Sequence, residues 1–358
     1  MKIAIILGTR PEIVKMSPVI RNLMTNRESF FILHTGQHYS YDMDKSFFET
    51  LGLPDPEYNL DAGSGTHAEQ TGKILIGTEK VLLKEKPDVV LVQGDTNTVL
   101  AGALAAAKLH IPIGHVEAGL RSFDRCMPEE INRVLADHIS DFLFTPTPTA
   151  EKNLLCEGVP KDKIFTTGNT IVDAVFQNLE IAEKNADVLN DLGLFRHHFF
   201  LVTAHRPENV DVQERLEKIF NALRAIHEKY GLPVIFPVHP RTEKKLQEFG
   251  IATEGVRICS PKNFLDFLQL ESGARLVLTD SGGVQEETCI LGVPCVTLRD
   301  NTERPETVDA GANVLAGVEP EAILIAVETM MNQTSTWKNP FGDGAASDRI
   351  ITILRESL

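Results

Sequence analysis

A chain of 358 residues is too long for one ordinary α/β core and about right for two. Its composition, 42% hydrophobic and 24% charged, is that of an ordinary soluble globular protein, and no run approaches the roughly 18–20 apolar residues that a membrane helix requires. A formal net charge of −15 argues against a nucleic-acid binder, which would carry a basic face; an anionic ligand would have to be held by a few local cations and backbone amides.

The first stretch, MKIAIILGTRPE, is too short and too soon polar for a signal peptide and reads as a strand, so a cytoplasmic location is expected. Apolar runs rich in Ile and Val then predict strands at KIAIILGT, FFILHT, DVVLVQGD, PIGHVE and DFLFTPT, with helical spacing at 66–86 and 97–110. None alternates with period two, so both faces are expected to be buried, as in a parallel sheet. The pattern restarts with FFLVTAH (199–205), PVIFPVHP, GVRIC, ARLVLTD and PCVTL, with helices at about 211–230, 241–249, 262–273 and 282–291. The fold class is therefore α/β, with two doubly wound units at 1–170 and 186–335, a seam in ADVLNDLGLFRHH (186–198) and a closing helix in the tail at 345–358. The five cysteines (126, 156, 259, 289 and 295) show neither C-x-x-C nor zinc spacing and read as buried thiols in a reducing compartment.

In an open parallel sheet, ligands bind beyond the carboxyl ends of the strands. The most telling exit is LVLTDSGGVQEET (276–288), where an apolar run stops at Asp280 and breaks into Ser281-Gly282-Gly283. Glycines at a strand-to-helix turn let the backbone approach a ligand, and the helix N-terminal amides that follow favour phosphate. The segment reads as a diphosphate cradle, or more plainly as a tight turn with a capping serine. Glu286 and Glu287 either complement the helix dipole, or one of them accepts from vicinal ribose hydroxyls. In GTRPE, Pro11 suits the first position of a helix, with Arg10 just before it. Arg10 and Lys15 can aim at an anion or lie solvated. The segment is neither G-x-G-x-x-G nor a Walker A loop, so neither a dinucleotide nor ATP is indicated. Asp95 ends an apolar strand, as a helix cap or as an acid facing the ligand, and Glu117 ends another with no helix at once behind it. Glu129 and Glu130 open a helix behind Pro128, with Arg133 placed for an i,i+4 pair with Glu129. Asp95, Glu117 and Glu129, if they converge, make an acid–base set, because neighbouring acids push each other's pKa values apart. His205 and His239 sit at strand exits of the second half without metal-ligand spacing; there they cap strands or donate to phosphate oxygens.

GTRPE, TGQH, VQGDT, HVEAGLR, PEEINR, TAHRPEN, VHP, TDSGGVQEE and TERPE occur in this order along nearly the whole chain. Together they resemble the non-hydrolysing UDP-N-acetylglucosamine 2-epimerases. The resemblance implies two Rossmann-like doubly wound domains facing across a cleft (glycosyltransferase-B type), with the C-terminal helix crossing back onto the first. It implies a UDP-sugar substrate interconverted between UDP-GlcNAc and UDP-ManNAc, no nicotinamide or metal cofactor, and a homodimer, while composition and charge argue against a membrane or nucleic-acid partner. The family's motif residues fall on Arg10, Lys15, Asp95, Glu117, Glu129, Arg133, His205, His239, Ser281, Gly282, Gly283, Glu287 and Arg304.

A C2 hydrogen beside an acetamido group, with no adjacent carbonyl, is too weakly acidic for direct removal by a carboxylate. The implied route is elimination. UDP leaves C1, oxocarbenium character acidifies C2, and a base takes the proton to give 2-acetamidoglucal; UDP then adds back with a proton on the opposite face. Ser281, Gly282, Gly283, Arg10 and His205 would stabilise the departing diphosphate, Asp95, Glu117 and Glu129 would act as acid and base, and Glu287 would anchor the ribose. One departure is specific. Many relatives are activated by their own substrate through a pattern with Gln-Met-Leu soon after Gln-His and an Arg before a QTLAE-like stretch. Here Gln37-His38 is followed by YSYDM, Ser40 differs, and Ser64 stands at the Arg position. Weak or absent activation by UDP-GlcNAc is expected.

Overall fold

The computed structural model describes residues 1–37, 41–333 and 336–358, with residues 41–44 described by backbone only. His38 and Ser40, both named above, lie outside the described residues. The chain divides into one unit of residues 1–177 with 341–358 and another of residues 178–340.

The first unit runs β1 (Lys2–Leu7), α1 (Arg10–Asn26), β2 (Ser29–His34), α2 (Tyr41–Thr50), β3 (Tyr58–Asn59), α3 (His67–Glu85), β4 (Val89–Gln93), α4 (Asn97–Lys108), β5 (Ile113–Val116), α5 (Pro128–Ile139), β6 (Phe142–Thr145), α6 (Pro148–Cys156) and β7 (Ile164–Thr166). Then α7 (Thr170–Asn185) runs through the division between the units. The second unit continues with α8 (Val188–Asp191), β8 (Phe200–Thr203), α9 (Pro207–Val210), α10 (Gln213–Tyr230), β9 (Val234–Pro237), α11 (Pro240–Phe249), β10 (Val256–Cys259), α12 (Phe264–Gly273), β11 (Leu276–Thr279), α13 (Gly282–Leu291), β12 (Cys295–Thr297), α14 (Pro305–Asp309), β13 (Asn313–Leu315) and α15 (Pro320–Asn332). The closing helix α16 (Ala346–Ser357) packs on α1 in the first unit, and its first amides, Ala346 and Ser347, donate to Asp173 of α7 at 3.2 and 2.9 Å.

Among the described residues the first unit holds a seven-stranded parallel sheet in the order β3-β2-β1-β4-β5-β6-β7, and the second a six-stranded one in the order β10-β9-β8-β11-β12-β13. In each, the strand order reverses once, at β1/β4 and at β8/β11. These reversals open crevices at the strand ends, because crossovers leave toward opposite faces on either side. Alternate residues of a strand feed opposite cores. Phe200, Val202, Leu276 and Leu278 pack with α10 and α15, whereas Leu201 and Val277 pack with Leu270 and Val284 of α12 and α13. Burial on both faces is why period-two alternation is absent from the sequence.

Three strands were not expected from the sequence: β3, β7 and β13, of two or three residues each, on sheet edges. Their segments lack an apolar run because an edge strand needs few buried side chains. The thiols also depart from expectation. Cys126 and Cys156, in a loop and at a helix end, are exposed, Cys259 is half-buried, and only Cys289 and Cys295 are buried; all five are free. Among the described residues no helix is long and apolar enough to cross a membrane.

Candidate functional site

The first unit gathers its acids at the β1/β4 reversal. Thr9 caps α1, so Arg10 is the first helical residue and Pro11 the second, one place later than expected. The capping box is completed by Glu12, which is buried and accepts from the Gly8 amide, the Thr9 amide (2.9 Å) and the Thr96 hydroxyl across the reversal. Burial pushes its carboxyl up to about 7, against the pull of those hydrogen bonds. A Cβ on Gly8 would strike the Thr35 and Thr98 hydroxyls, so this glycine is required by packing.

Arg10 places its guanidinium 5.8 Å from the Phe47 ring centroid. Lys15 reaches Glu117 instead of solvent, with Nζ at 2.6 and 2.8 Å from its two carboxylate oxygens. Glu117 also accepts from Gln93 and from Asn169 (3.3 Å), and it is nearly buried at 8% exposure. Its φ of 70° puts a glutamate in the left-handed region. A non-glycine residue held there carries backbone strain that the surroundings must over-determine, a common mark of a functional position.

Asp95 does not cap α4; Thr96 holds that place. The Asp95 carboxylate pairs with Arg133 of α5, and its carbonyl accepts from Asn132 at 2.9 Å. Arg133 also pairs with Glu130, so the anticipated i,i+4 pair with Glu129 is replaced by an i,i+3 pair and a bond across the reversal. Glu129 is left exposed. It shares with Asp95 a cavity of about 270 Å³ whose lining includes Gln37, Ser64, His67 and Asn97.

The second unit places its candidates at the β8/β11 reversal. Asp280 is fully buried and accepts from the His205 amide (3.0 and 3.1 Å), the Arg206 amide (3.0 Å) and Asn209 (3.2 Å). It lies 3.0 Å from His205 Nδ1. Burial would raise the Asp280 pKa, but His205 and the donors around it hold it below the usual range. A carboxylate at Nδ1 fixes a proton there and leaves Nε2 of the half-exposed ring to face outward partners. His239 caps α11, its Nδ1 accepting from the Arg241 amide at 3.2 Å, so the proton of the neutral ring sits on Nε2.

Ser281 caps α13 through its backbone; its hydroxyl bonds no helix amide, and the first turn carries no acid. Neither Gly282 nor Gly283 has a positive φ. The nearest atoms to an added Cβ would lie 3.7 and 3.9 Å away, ordinary contact distances. Among the described residues nothing within the unit requires these two glycines, and without side chains they leave the backbone at the start of α13 open to close approach.

The two glutamates behind this turn divide their duties. Buried Glu286 is paired with Arg304 at 2.7 Å, so Arg304 serves first as its counter-ion. Glu287 is half-buried and hydrogen-bonded to Glu271 of α12, a fully buried carboxyl. Two carboxyl groups in contact must share a proton. Burial, then the neighbouring Glu287, push the Glu271 pKa well up, so the pair holds a proton between its two carboxyl groups.

Sequence reasoning passed over Glu12, Asn132, Asn169 and Glu271, and gave Asp280 no task. Glu12 had a signal, since T-R-P-E has capping-box spacing. The pairing of Asp280 with His205 had none, the two being 75 residues apart.

Two parallel-sheet units in series, each with its polar residues collected at the reversal of strand order, define a doubly wound α/β protein of glycosyltransferase-B type. The sequence profile of the UDP-N-acetylglucosamine 2-epimerase family matches residues 22–355. The chain is 60% identical to the UDP-N-acetylglucosamine 2-epimerase of Methanocaldococcus jannaschii, over 99% of each chain. A crystal structure of the enzyme from that organism, in complex with UDP-GlcNAc and UDP, superposes with a TM-score of 0.85 over the whole of both chains. The UDP-2,3-diacetamido-2,3-dideoxy-D-glucuronate 2-epimerase of Pseudomonas aeruginosa is 44% identical, again over 99% of each chain. The chain belongs to the UDP-N-acetylglucosamine 2-epimerase family.

Proposed function

We propose that this protein is an isomerase that interconverts UDP-GlcNAc and UDP-ManNAc by reversible elimination of UDP. The observation that carries this reading is the bare, glycine-opened N-terminus of α13 beside the Asp280–His205 pair, in a chain whose other unit holds carboxylates at its own reversal. On this reading the α13 amides, Ser281 and the His205 ring stabilise the diphosphate as the C1–O bond breaks and its electron pair leaves with UDP. Arg10, His239 and Arg304 add positive charge or donors. A carboxylate from Asp95, Glu117 and Glu129 accepts the C2 proton, giving 2-acetamidoglucal and UDP. A second delivers a proton to the other face of C2 as UDP adds back. Glu287 accepts from the ribose hydroxyls. We assign Lys15 and Arg133 to hold Glu117 and Asp95 in place.

The decisive experiment follows deuterium at C2 in D₂O for Asp95→Asn, Glu117→Gln and Glu129→Gln. General acid–base roles predict exchange slowed by about 10²- to 10⁴-fold; near-normal exchange in all three would refute the assignment. The product mixture tests the reaction itself. Two UDP-sugars at equilibrium with no accumulating free sugar is the epimerase result, free ManNAc with UDP would mark hydrolysis, and turnover only with an acceptor would mark transfer. Running UDP-GlcNAc beside the UDP-diacetamido-glucuronate settles the sugar, since the two differ in a carboxylate that an epimerase must accommodate or refuse. The family context supports a cytoplasmic homodimer supplying ManNAc nucleotide to polysaccharide assembly; sedimentation of the full chain tests the dimer.

A further inference from the structure

Under the acids of the first unit lies a buried cluster that the chemistry above leaves unused. His115, in β5, is completely buried two residues before Glu117. Its Nδ1 lies 2.7 Å from a carboxylate oxygen of Asp137 on α5, and its Nε2 lies 2.7 Å from the carbonyl oxygen of Gly94. A carbonyl has no hydrogen to give, so Nε2 donates. Asp137 is an acceptor too. Its other oxygen is held by Arg121 (2.7 Å) and the Gly119 amide (3.2 Å), both of which favour the ionised form. Each ring nitrogen therefore carries a proton, and the ring is an imidazolium.

The placement gives this cation a task. Gly94 has a φ of 87°, which a side chain would resist, and its amide donates to the Val116 carbonyl at 3.1 Å. Its carbonyl is the group His115 holds. Gly94 is thus tied at both ends to β5, and the position of its missing Cβ lies 4.0 Å from a Glu117 carboxylate oxygen. Asp95 is the next residue.

We infer that His115 is a positioning residue: an imidazolium clamped between Asp137 and the Gly94 carbonyl that sets the Gly94–Asp95 turn against Glu117. The inference rests on the proposed proton work of those two acids. The charged groups around the ring are Asp137 from α5, Arg121 with its second partner Glu157 from the β5 exit and α6, and Asp95 from the β4 exit. Burial would strip the ring of its extra proton, but the contact with Asp137, then the Gly94 carbonyl and Asp95, outweighs it and raises the pKa.

The test has a spectroscopic and a kinetic arm. In ¹⁵N-histidine-labelled full-length protein, both His115 nitrogens are expected to show protonated-type shifts from about pH 6 to about pH 8, where an ordinary histidine has lost its proton; one unprotonated ring nitrogen at neutral pH overturns the inference. His115→Gln, checked for native circular dichroism, is expected to lower kcat and C2 exchange by about 10- to 100-fold with KM nearly unchanged, as for misplaced catalytic groups. Asp137→Asn removes the counter-charge while keeping an acceptor. It is expected to make kcat fall with rising pH as His115 loses its proton, in a range where the parent enzyme is flat. Parental kcat in His115→Gln, alongside slowed exchange in Asp95→Asn and Glu117→Gln, overturns positioning and leaves the acid assignment standing. Normal exchange in those two amides overturns both.

Discussion

Glu12 offers a sharp test of the electrostatics around the acid cluster. Its carboxyl is about 2% exposed, lies between the β1 and β4 exits, and has a pKa of about 7 against an ordinary 4.5. The cause is burial first, with nearby Asp95 adding to it and three hydrogen bonds opposing it. Because the folded state binds this proton more tightly than the unfolded chain does, stability is greatest below about pH 4.5, declines through the interval to about 7, and carries the full penalty above it. A displacement of two to three pKa units corresponds to about 3 kcal/mol.

Glu12→Gln keeps an acceptor for the Gly8 and Thr9 amides and an amide to meet Thr96, but it cannot ionise. The variant should therefore gain stability relative to its parent as pH rises, by about 3 kcal/mol between about pH 5 and about pH 8. Urea denaturation at several pH values, with a probe confined to the first unit, measures this directly, because two units need not unfold as one transition. A difference between variant and parent that does not change with pH would refute the reasoning. So would a difference that moves the other way, since it would mean Glu12 is ionised throughout and held by its donors.

Gly282→Ala should stabilise the second unit by roughly 1 kcal/mol, since the helical position is open to a methyl, while weakening UDP binding by about tenfold, or 1.4 kcal/mol; calorimetry and thermal melts together decide, and unchanged affinity would remove the ligand from the account of this turn. Glu271→Gln retains a donor to Glu287 and should behave as the parent, whereas Glu271→Leu frees Glu287 and should lower the preference for UDP over its 2′-deoxy analogue; equal preference in all three would detach Glu287 from the ribose. With Ser64 lining the cavity beside Asp95 and Glu129, UDP-ManNAc turnover should proceed without added UDP-GlcNAc, and strong dependence on a trace of it would overturn that reading.

Much of the architecture was legible because buried parallel strands write themselves as unbroken apolar runs, and the residue that ends each run is the one that leaves the sheet. That is why Asp95, Glu117, His205 and Ser281 could be picked out one by one. What a run cannot reveal is which partner its last residue meets. Asp95 was open to a capping role that Thr96 performs, because both are good caps and the choice depends on Arg133, 38 residues away. The sequence pointed Arg133 to Glu129 by i,i+4 spacing, but i,i+3 places Glu130 beside it as well. The Ser122 and Phe123 amides, which Glu130 alone reaches, break the tie. The short edge strands and the Glu271–Glu287 contact left no local trace at all.

The three acids of the first unit arrive in three different settings, and that difference bears on the proposed chemistry more than their mere proximity does. Glu117 is nearly buried, strained and neutralised by Lys15; Asp95 is half-buried and neutralised by Arg133; Glu129 is exposed on a cavity wall. Epimerisation at C2 needs one group to take a proton from one face and another to deliver one to the opposite face, and carboxylates in different settings suit two different tasks. Removing Lys15 or Arg133 would leave a charge without its partner, and for the more buried Glu117 that is the larger disturbance. Lys15, which the sequence offered as an anion ligand, is thus engaged in neutralising Glu117. Any account of turnover in which Lys15 moves to a phosphate must also say what then neutralises Glu117.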